Sequence, residues 1–145
     1  MIIYKINTSS EIDIFNHLIL CDKDFIPPLS ERVNVLSYSR KIRSTAVLFE
    51  AWEDEKLVGL VAGYFNKKEE GYITNVSVIK EKQKDGIGSK LLDMCINYGN
   101  SNRIKILLLE VYEKNPSIVK WYRKNGFLEY QKIGDNLKMY LSLNK

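Results

Sequence analysis

The order of three runs between residues 72 and 112 limits the fold more than any other feature of the sequence. "YITNVSVIK" reads as a strand, "GSKLLDMCINYG" as a helix with Leu91, Leu92, Cys95 and Ile96 on one face, and "RIKILLLEVY" as a second strand. A strand-helix-strand crossover demands a parallel pair, and its connection should be right-handed. The second strand is nearly unbroken in apolar residues, the mark of a strand covered on both faces.

Upstream, "MIIYKINT" reads as a first strand and "SSEIDIFNHLIL" as a helix, with Ser9 or Ser10 as N-cap and Ile12, Phe15, Leu18 and Ile19 at helical spacing. "CDKDFIPPLS" breaks that helix, and "SERVNVLSYSRKIRS" forms a second, more polar one. "TAVLFEAWE", "KLVGLVAGYF" and "YITNVSVIK", joined by short turns, predict an antiparallel meander. The helix beginning near Gly88 ends on Gly99 as a C-cap. "NPSIVKWYRKNGF" opens on Asn115 as N-cap with Pro116 in its first turn, and closes on Gly126. "GFLEYQKI", "GDN" and "LKMYLSL" make a closing hairpin. The expectation is one α/β domain over residues 1–145, a mixed sheet of about seven strands with four helices. Its fourth and fifth strands form the parallel pair.

A chain of 145 residues is long enough for one domain with its own core. No run approaches the roughly 18 apolar residues of a membrane span. "MIIYKINTSSEIDIF" carries acids early and lacks the apolar stretch of a signal peptide. Cys21 and Cys95 lack metal-ligand spacing and His17 is the only histidine, which argues against a zinc centre; a Ser-His-Asp triad would have to use His17. Two buried reduced thiols in a cytoplasmic protein are the expected state.

Charge is divided unevenly. Residues 1–72 carry nine Lys/Arg against eleven Asp/Glu, whereas residues 73–145 carry thirteen against seven. The basic second half suits an anionic partner. Nucleic acid is one candidate, although the basic residues are neither gathered in one stripe nor interleaved with exposed aromatics. A small phosphorylated ligand fits equally well, and a solvated basic face without a partner is the third reading.

"EKQKDGIGSKLL" sets Gly86 and Gly88 between the end of a strand and the start of a helix. A helix start exposes unpaired N–H groups and the positive end of the dipole, which together favour phosphate. Glycines there let the backbone approach an anion with no Cβ in between. The dinucleotide fingerprint fails because Leu91 occupies its third glycine position, and the triphosphate loop fails for want of a Gly-Lys-Ser/Thr triplet. What remains is Gln83-x-x-Gly86-x-Gly88, a pattern many proteins carry by chance. In the last helix, Asn115 and Tyr122 are seven residues apart, about 10.5 Å along one face. An amide and a phenol on one edge suit an elongated ligand. Each also has a plain structural reading, Asn115 as a cap and Tyr122 as a core aromatic.

Together, "VSVIKEKQKDGIGSKLL" and "LLLEVYEKNPSIVKWYRKNGF" closely resemble the GNAT superfamily of N-acetyltransferases, over essentially the whole chain. Gln83, Gly86 and Gly88 fall on that family's [Arg/Gln]-x-x-Gly-x-[Gly/Ala] pyrophosphate loop. Asn115, Tyr122, Gly126 and Phe127 fall on its Asn-x-x-Ala-x-x-x-Tyr…Gly-Phe segment. Lys84 stands where glycine is frequent, and Ile118 where alanine is.

The resemblance implies transfer of an acetyl group from acetyl-CoA to a primary amine, with no metal and no nucleic-acid or membrane partner. It implies that acetyl-CoA lies where the two parallel strands splay, its pantetheine arm along the main chain of Val76, Ser77 and Val78, with the Val78 N–H toward the thioester oxygen. Amides of Gln83, Lys84, Asp85, Gly86, Ile87, Gly88 and Ser89 would hold the pyrophosphate, Asn115 would border the cofactor, and Lys80, Lys82, Lys84 and Lys90 are available to outer phosphates. Tyr122 would be the general acid, a phenol near 10 serving a thiol near 8.5. Glu50, Glu53 and Glu110 are base candidates by position, none of them assigned; Asn75 and Ser77 neighbour the cleft without being strong bases, and His17 reads as a packed or surface imidazole. Paired subunits are common among such proteins, so a homodimer is an option that no residue here calls for.

"DFIPPLSERVNVLSYSRK" would choose the acceptor, with Phe25, Ile26, Pro27 and Pro28 as a stiff apolar lip beside Ser30 and Arg32. As structure alone it caps the core. As a site it suits a compact small-molecule amine, such as an amino sugar or amino-acid derivative. A peptide or protein amine is the alternative, kept open by the acidic first half and its "EDE" at 53 to 55. A module that binds acyl-CoA without catalysis is the third reading.

Overall fold

Seven strands and four helices form in the computed structural model, which describes residues 1–143. In chain order they are β1 (Ile2–Ile6), α1 (Glu11–Cys21), α2 (Val35–Thr45), β2 (Val47–Glu53), β3 (Lys56–Lys67), β4 (Glu70–Val78), α3 (Ile87–Ser101), β5 (Ile106–Tyr112), α4 (Pro116–Lys124), β6 (Leu128–Ile133) and β7 (Asn136–Ser142). The sheet runs β1-β2-β3-β4-β5-β7-β6 and is antiparallel except between β4 and β5. The meander, the crossover pair and the closing hairpin all stand where the sequence puts them.

Alternation along the strands builds a core on each face. Leu48, Leu57 and Leu60 meet Ile14 and Leu18 of α1 and Ile42 of α2 on one side. Phe49, Val58 and Val61 meet Ile87, Leu91 and Leu92 of α3 on the other, with Tyr122 and Phe127. Each such side chain contributes roughly 1.5–3 kcal/mol by leaving water.

Four local expectations are corrected. The buried stripe of α1 is Ile14, His17, Leu18 and Cys21, while Ile12 and Ile19 are exposed. His17 finds hydrogen-bond partners inside, so the polar residue turns in and two isoleucines turn out. The second helix starts at Val35: Asn34 caps it by accepting the Ser37 N–H at 2.9 Å, and Leu29–Glu31 forms a separate 3-10 turn. The third helix runs past Gly99 to Ser101, and a β-carbon on Gly99 would lie 2.7 Å from Leu143 Cδ1, so that glycine serves a close approach. β5 is fully buried on one face only, through Leu107 and Leu109, because α1 and α2 cover β2 and β3 and leave its other face open.

The feature that makes a site is the short β4–β5 ladder. Pairing runs from Glu70/Ile106 to Tyr72/Leu108 and stops, although both strands continue. At this level β4 shifts register against β3, with Ile73 opposite Gly63 but Asn75 opposite Ala62, leaving Thr74 as an extra residue. The Tyr38 hydroxyl donates to the Thr74 carbonyl at 3.0 Å and fixes the bulge.

Candidate active site

Where β4 and β5 part, a cleft of about 820 Å³ passes through the sheet. Regular register from Asn75 to Val78, with the Ile79 N–H bonded to Val58 O at 2.9 Å, assigns the odd-numbered residues to β3. Val76 and Val78 therefore turn their main-chain groups toward β5, where no ladder exists. The Val78 carbonyl accepts Gln83 Nε2 at 3.2 Å, which ties the glycine loop to the strand end.

At the head of α3, Gly86 stands at φ 77° with open space around its α-carbon. The amides of Gly86, Ile87, Gly88 and Ser89 have no protein acceptor among the described residues. Four N–H groups at a helix start, bonded to nothing, make an anion cradle. Two expected donors are not available. The Gln83 and Asp85 N–H groups bond to Lys80 O and Lys82 O, because the chain before the loop winds into a 3-10 turn. Lys82 is likewise engaged, 2.8 Å from Glu53 Oε2.

Val76, Ser77, Val78, Gln83, Gly86, Gly88, Ser89, Asn115 and Tyr122 all line the cleft, and Phe25, Ile26 and Arg32 line its other mouth. Lys84 and Asp85 are exposed and lie outside it. The Ile87 side chain is core, leaving only its amide for a ligand. Of the two prolines expected in the lip, Pro27 lines the cleft and Pro28 does not. Ser77 turns its side chain to the α1 face, away from Val76 and Val78. Asn115 precedes α4 but makes no side-chain cap; its Oδ1 accepts only from Ser117 Oγ at 3.1 Å.

Trp121 escaped the sequence reading. Trp121 shares a helical edge with Asn115 and Ile118, and its ring lies 3.6 Å from where a β-carbon on Gly88 would be. Asn75, expected beside the cleft, lines it and sits two residues from Ser77 on one face of β4.

Burial sets the ionisation of the site. Tyr122 is 5% exposed, its hydroxyl bonds to no described residue, and burial aided by Cys95 pushes the phenol well above its ordinary value. Burial lowers His17 to about 4 and raises Cys21 to about 12, so the ring is neutral and the thiol protonated at neutral pH. Of the base candidates, Glu50 is fully buried and saturated by the N–H and hydroxyl groups of Thr8 and Ser9, and Glu53 is paired with Lys82. Only Glu110 reaches the cleft, where burial, aided by the Glu110 charge, raises the Tyr72 phenol.

The sequence model of the Acetyltransferase (GNAT) family matches residues 13–127. The chain belongs to this family. Solved structures share its fold. The ribosomal-protein-S18-alanine N-acetyltransferase of Escherichia coli is 17% identical with a TM-score of 0.79, over 99% of this chain and 96% of that one. A protein of Pyrococcus horikoshii OT3 is 26% identical with a TM-score of 0.77 over the whole of both chains. The PaiA N-acetyltransferase of Thermoplasma acidophilum, solved in complex with coenzyme A, is 16% identical with a TM-score of 0.76, over 97% of this chain and 99% of that one. A GNAT acetyltransferase fold is consistent with acyl transfer from acetyl-CoA. Among the described residues of this GNAT protein no group of His, Cys, Asp and Glu is placed to hold a metal ion, and no helix is long and apolar enough to cross a membrane.

Proposed function

We propose that this GNAT protein transfers the acetyl group of acetyl-CoA to the primary amine of a small molecule. The observation that carries the reading is the set of four unbonded amides, Gly86 to Ser89, opening onto a cleft whose strands stop pairing at Tyr72/Leu108. The residues present fit the co-substrate: a pyrophosphate meets free N–H groups, and an extended pantetheine arm meets the main chain of Val76 and Val78, which no strand pairs on the β5 side. When bound, acetyl-CoA supplies the activated acyl carbon. The Val78 N–H is the fixed dipole for its carbonyl oxygen. Tyr122, kept protonated by burial, is the donor for the departing sulfur. Asn115, free of capping duty, borders the same half of the cleft. Lys80, Lys84 and Lys90 remain for the outer phosphates, with Lys90 already over the Tyr4 ring at 5.6 Å.

The acceptor half is lined by Phe25, Ile26, Pro27 and Arg32, a mostly apolar lip with one cation, which supports a compact, partly apolar amine. A peptide amine is the second reading, favoured by the uncovered edge beside Tyr72 and Glu110, both exposed. Titration with acetyl-CoA, followed by thiol release with amino sugars, amino-acid amides and peptides, tests both. Release with small amines is expected. Release with peptides alone would move the assignment to the second reading, binding without release would leave a non-catalytic module, and absence of binding would remove all three.

A further inference from the structure

Beneath the acceptor half lies a buried polar chain that the reading above does not use. His17 is 1% exposed; its Nδ1 is 3.0 Å from Leu57 O and its Nε2 is 2.8 Å from Ser77 Oγ. Ser77 Oγ is in turn 2.8 Å from the carboxamide of Asn75, which is 5% exposed and lines the cleft. Protons must be counted along this chain. A carbonyl only accepts, so Nδ1 carries the ring proton, and a neutral ring leaves Nε2 as an acceptor. The 2.8 Å contact between Ser77 Oγ and Nε2 needs a proton between its two atoms, and the Cys21 thiol, 3.7 Å from Nε2, cannot supply it. The single Ser77 proton therefore goes to Nε2. Nothing remains for Asn75 to accept, yet the end facing Ser77 is Oδ1. A half-turn of the carboxamide, which leaves its outline unchanged, resolves the conflict by letting Nδ2 donate to Ser77 Oγ.

That half-turn has a consequence. The outer end of Asn75 has no protein partner, and no fully buried side-chain polar atom among the described residues lacks one, so that end reaches open space. Through its cleft-facing side it meets the acceptor half. We propose that His17, acting through Ser77, holds Asn75 with its carbonyl oxygen facing the cleft, where it receives an N–H of the acceptor amine. His17 and Ser77 are positioning residues, and Asn75 is the contact. The proposal rests on the acyl-transfer reading only for the identity of the ligand.

Because His17 is the only histidine, nitrogen-15 spectra of the untagged chain report a single ring. At pH 7 the expected spectrum has a protonated Nδ1 and a bare Nε2, with Asn75 carboxamide protons that exchange faster in Ser77→Ala. A protonated Nε2, in either the other tautomer or the charged ring, would overturn the proton count. In the thiol-release assay, with the amine of that panel giving the highest turnover, Ser77→Ala should raise the amine KM about fivefold, leave kcat and the acetyl-CoA Kd within twofold, and be rescued by Ser77→Thr. An unchanged amine KM overturns the positioning role. A panel with no turnover defeats the acyl-transfer reading instead, and the ring spectrum still decides the orientation.

Discussion

A β-carbon on Gly59 would lie 2.8 Å from Ile87 Cγ2 and 3.0 Å from Leu91 Cδ1. The first turn of α3 therefore rests directly on β3, and this contact sets the height of the four free amides over the cleft. Ile87 and Leu91 are 1% and 0% exposed, so neither has room to withdraw. Gly59→Val is expected to destabilise the fold by about 2 kcal/mol and to weaken coenzyme A binding beyond the loss of folded protein. Urea unfolding and calorimetric titration on one preparation separate the two effects. Full affinity in a destabilised variant would mean that the helix start does not hold the ligand.

Gly86 poses the opposite case, a left-handed backbone at φ 77° with nothing within 4 Å of an added methyl. Gly134, in the β6–β7 turn at φ 58°, has the same open surroundings but does not line the cleft. Alanine at either position should lower stability alike, by about 1 kcal/mol of backbone strain. Only Gly86→Ala places a methyl where an anion would approach the amides. A coenzyme A Kd raised about tenfold or more in Gly86→Ala, and unchanged in Gly134→Ala, is the expected pair of results. Equal affinities in both variants would clear the loop of any role.

Why the crossover was legible and the faces of α1 were not has one physical cause. Strand, loop and helix starts obey rules local in sequence, and Gly86 before Ile87 needs no distant partner to be read. The face of α1 is chosen by contacts 40 and 60 residues away, where His17 meets Leu57 and Ser77. Apolar residues line α1 all round, so periodicity alone selected Ile12 and Ile19 as inward, and both are exposed. Gly99 failed similarly: a cap and a close approach to Leu143 call for the same residue. Within the loop, the family pattern spans Lys84 and Asp85 without saying which amides the preceding 3-10 turn has already used.

Tyr122 lies edge-on to Phe127 and Trp121, with ring centroids 5.5 and 5.1 Å away, so removing its hydroxyl leaves the packing intact. Tyr122→Phe should lower the turnover number by about 100-fold while the acetyl-CoA Kd stays within twofold. A raised phenol pKa extends the proton-donating form to higher pH. The turnover number should therefore show no fall assignable to a phenol below about pH 10. An unchanged turnover number in the variant would remove Tyr122 from the chemistry.

His17 makes stability depend on pH in a stated direction. Its ring titrates near 6.5 in the unfolded chain and about 4 in the fold, where burial disfavours the cation. Between these values the unfolded state binds a proton that the folded state does not, so stability rises with pH across that window. The contribution is complete above about pH 6.5 and is lost as pH falls toward about 4, amounting to roughly 3 kcal/mol. Carboxylates held low in the fold, such as Asp22 beside Ser30, also lose their contribution in acid, but they do so in any variant that keeps them. The comparison is therefore between the native chain and His17→Gln, each unfolded by urea at intervals from pH 7 to 4. The native slope should exceed that of the variant over the upper part of this range. Equal slopes would mean that the buried ring carries its proton in the fold, and the same result would dismantle the proton count that turns the Asn75 oxygen toward the cleft.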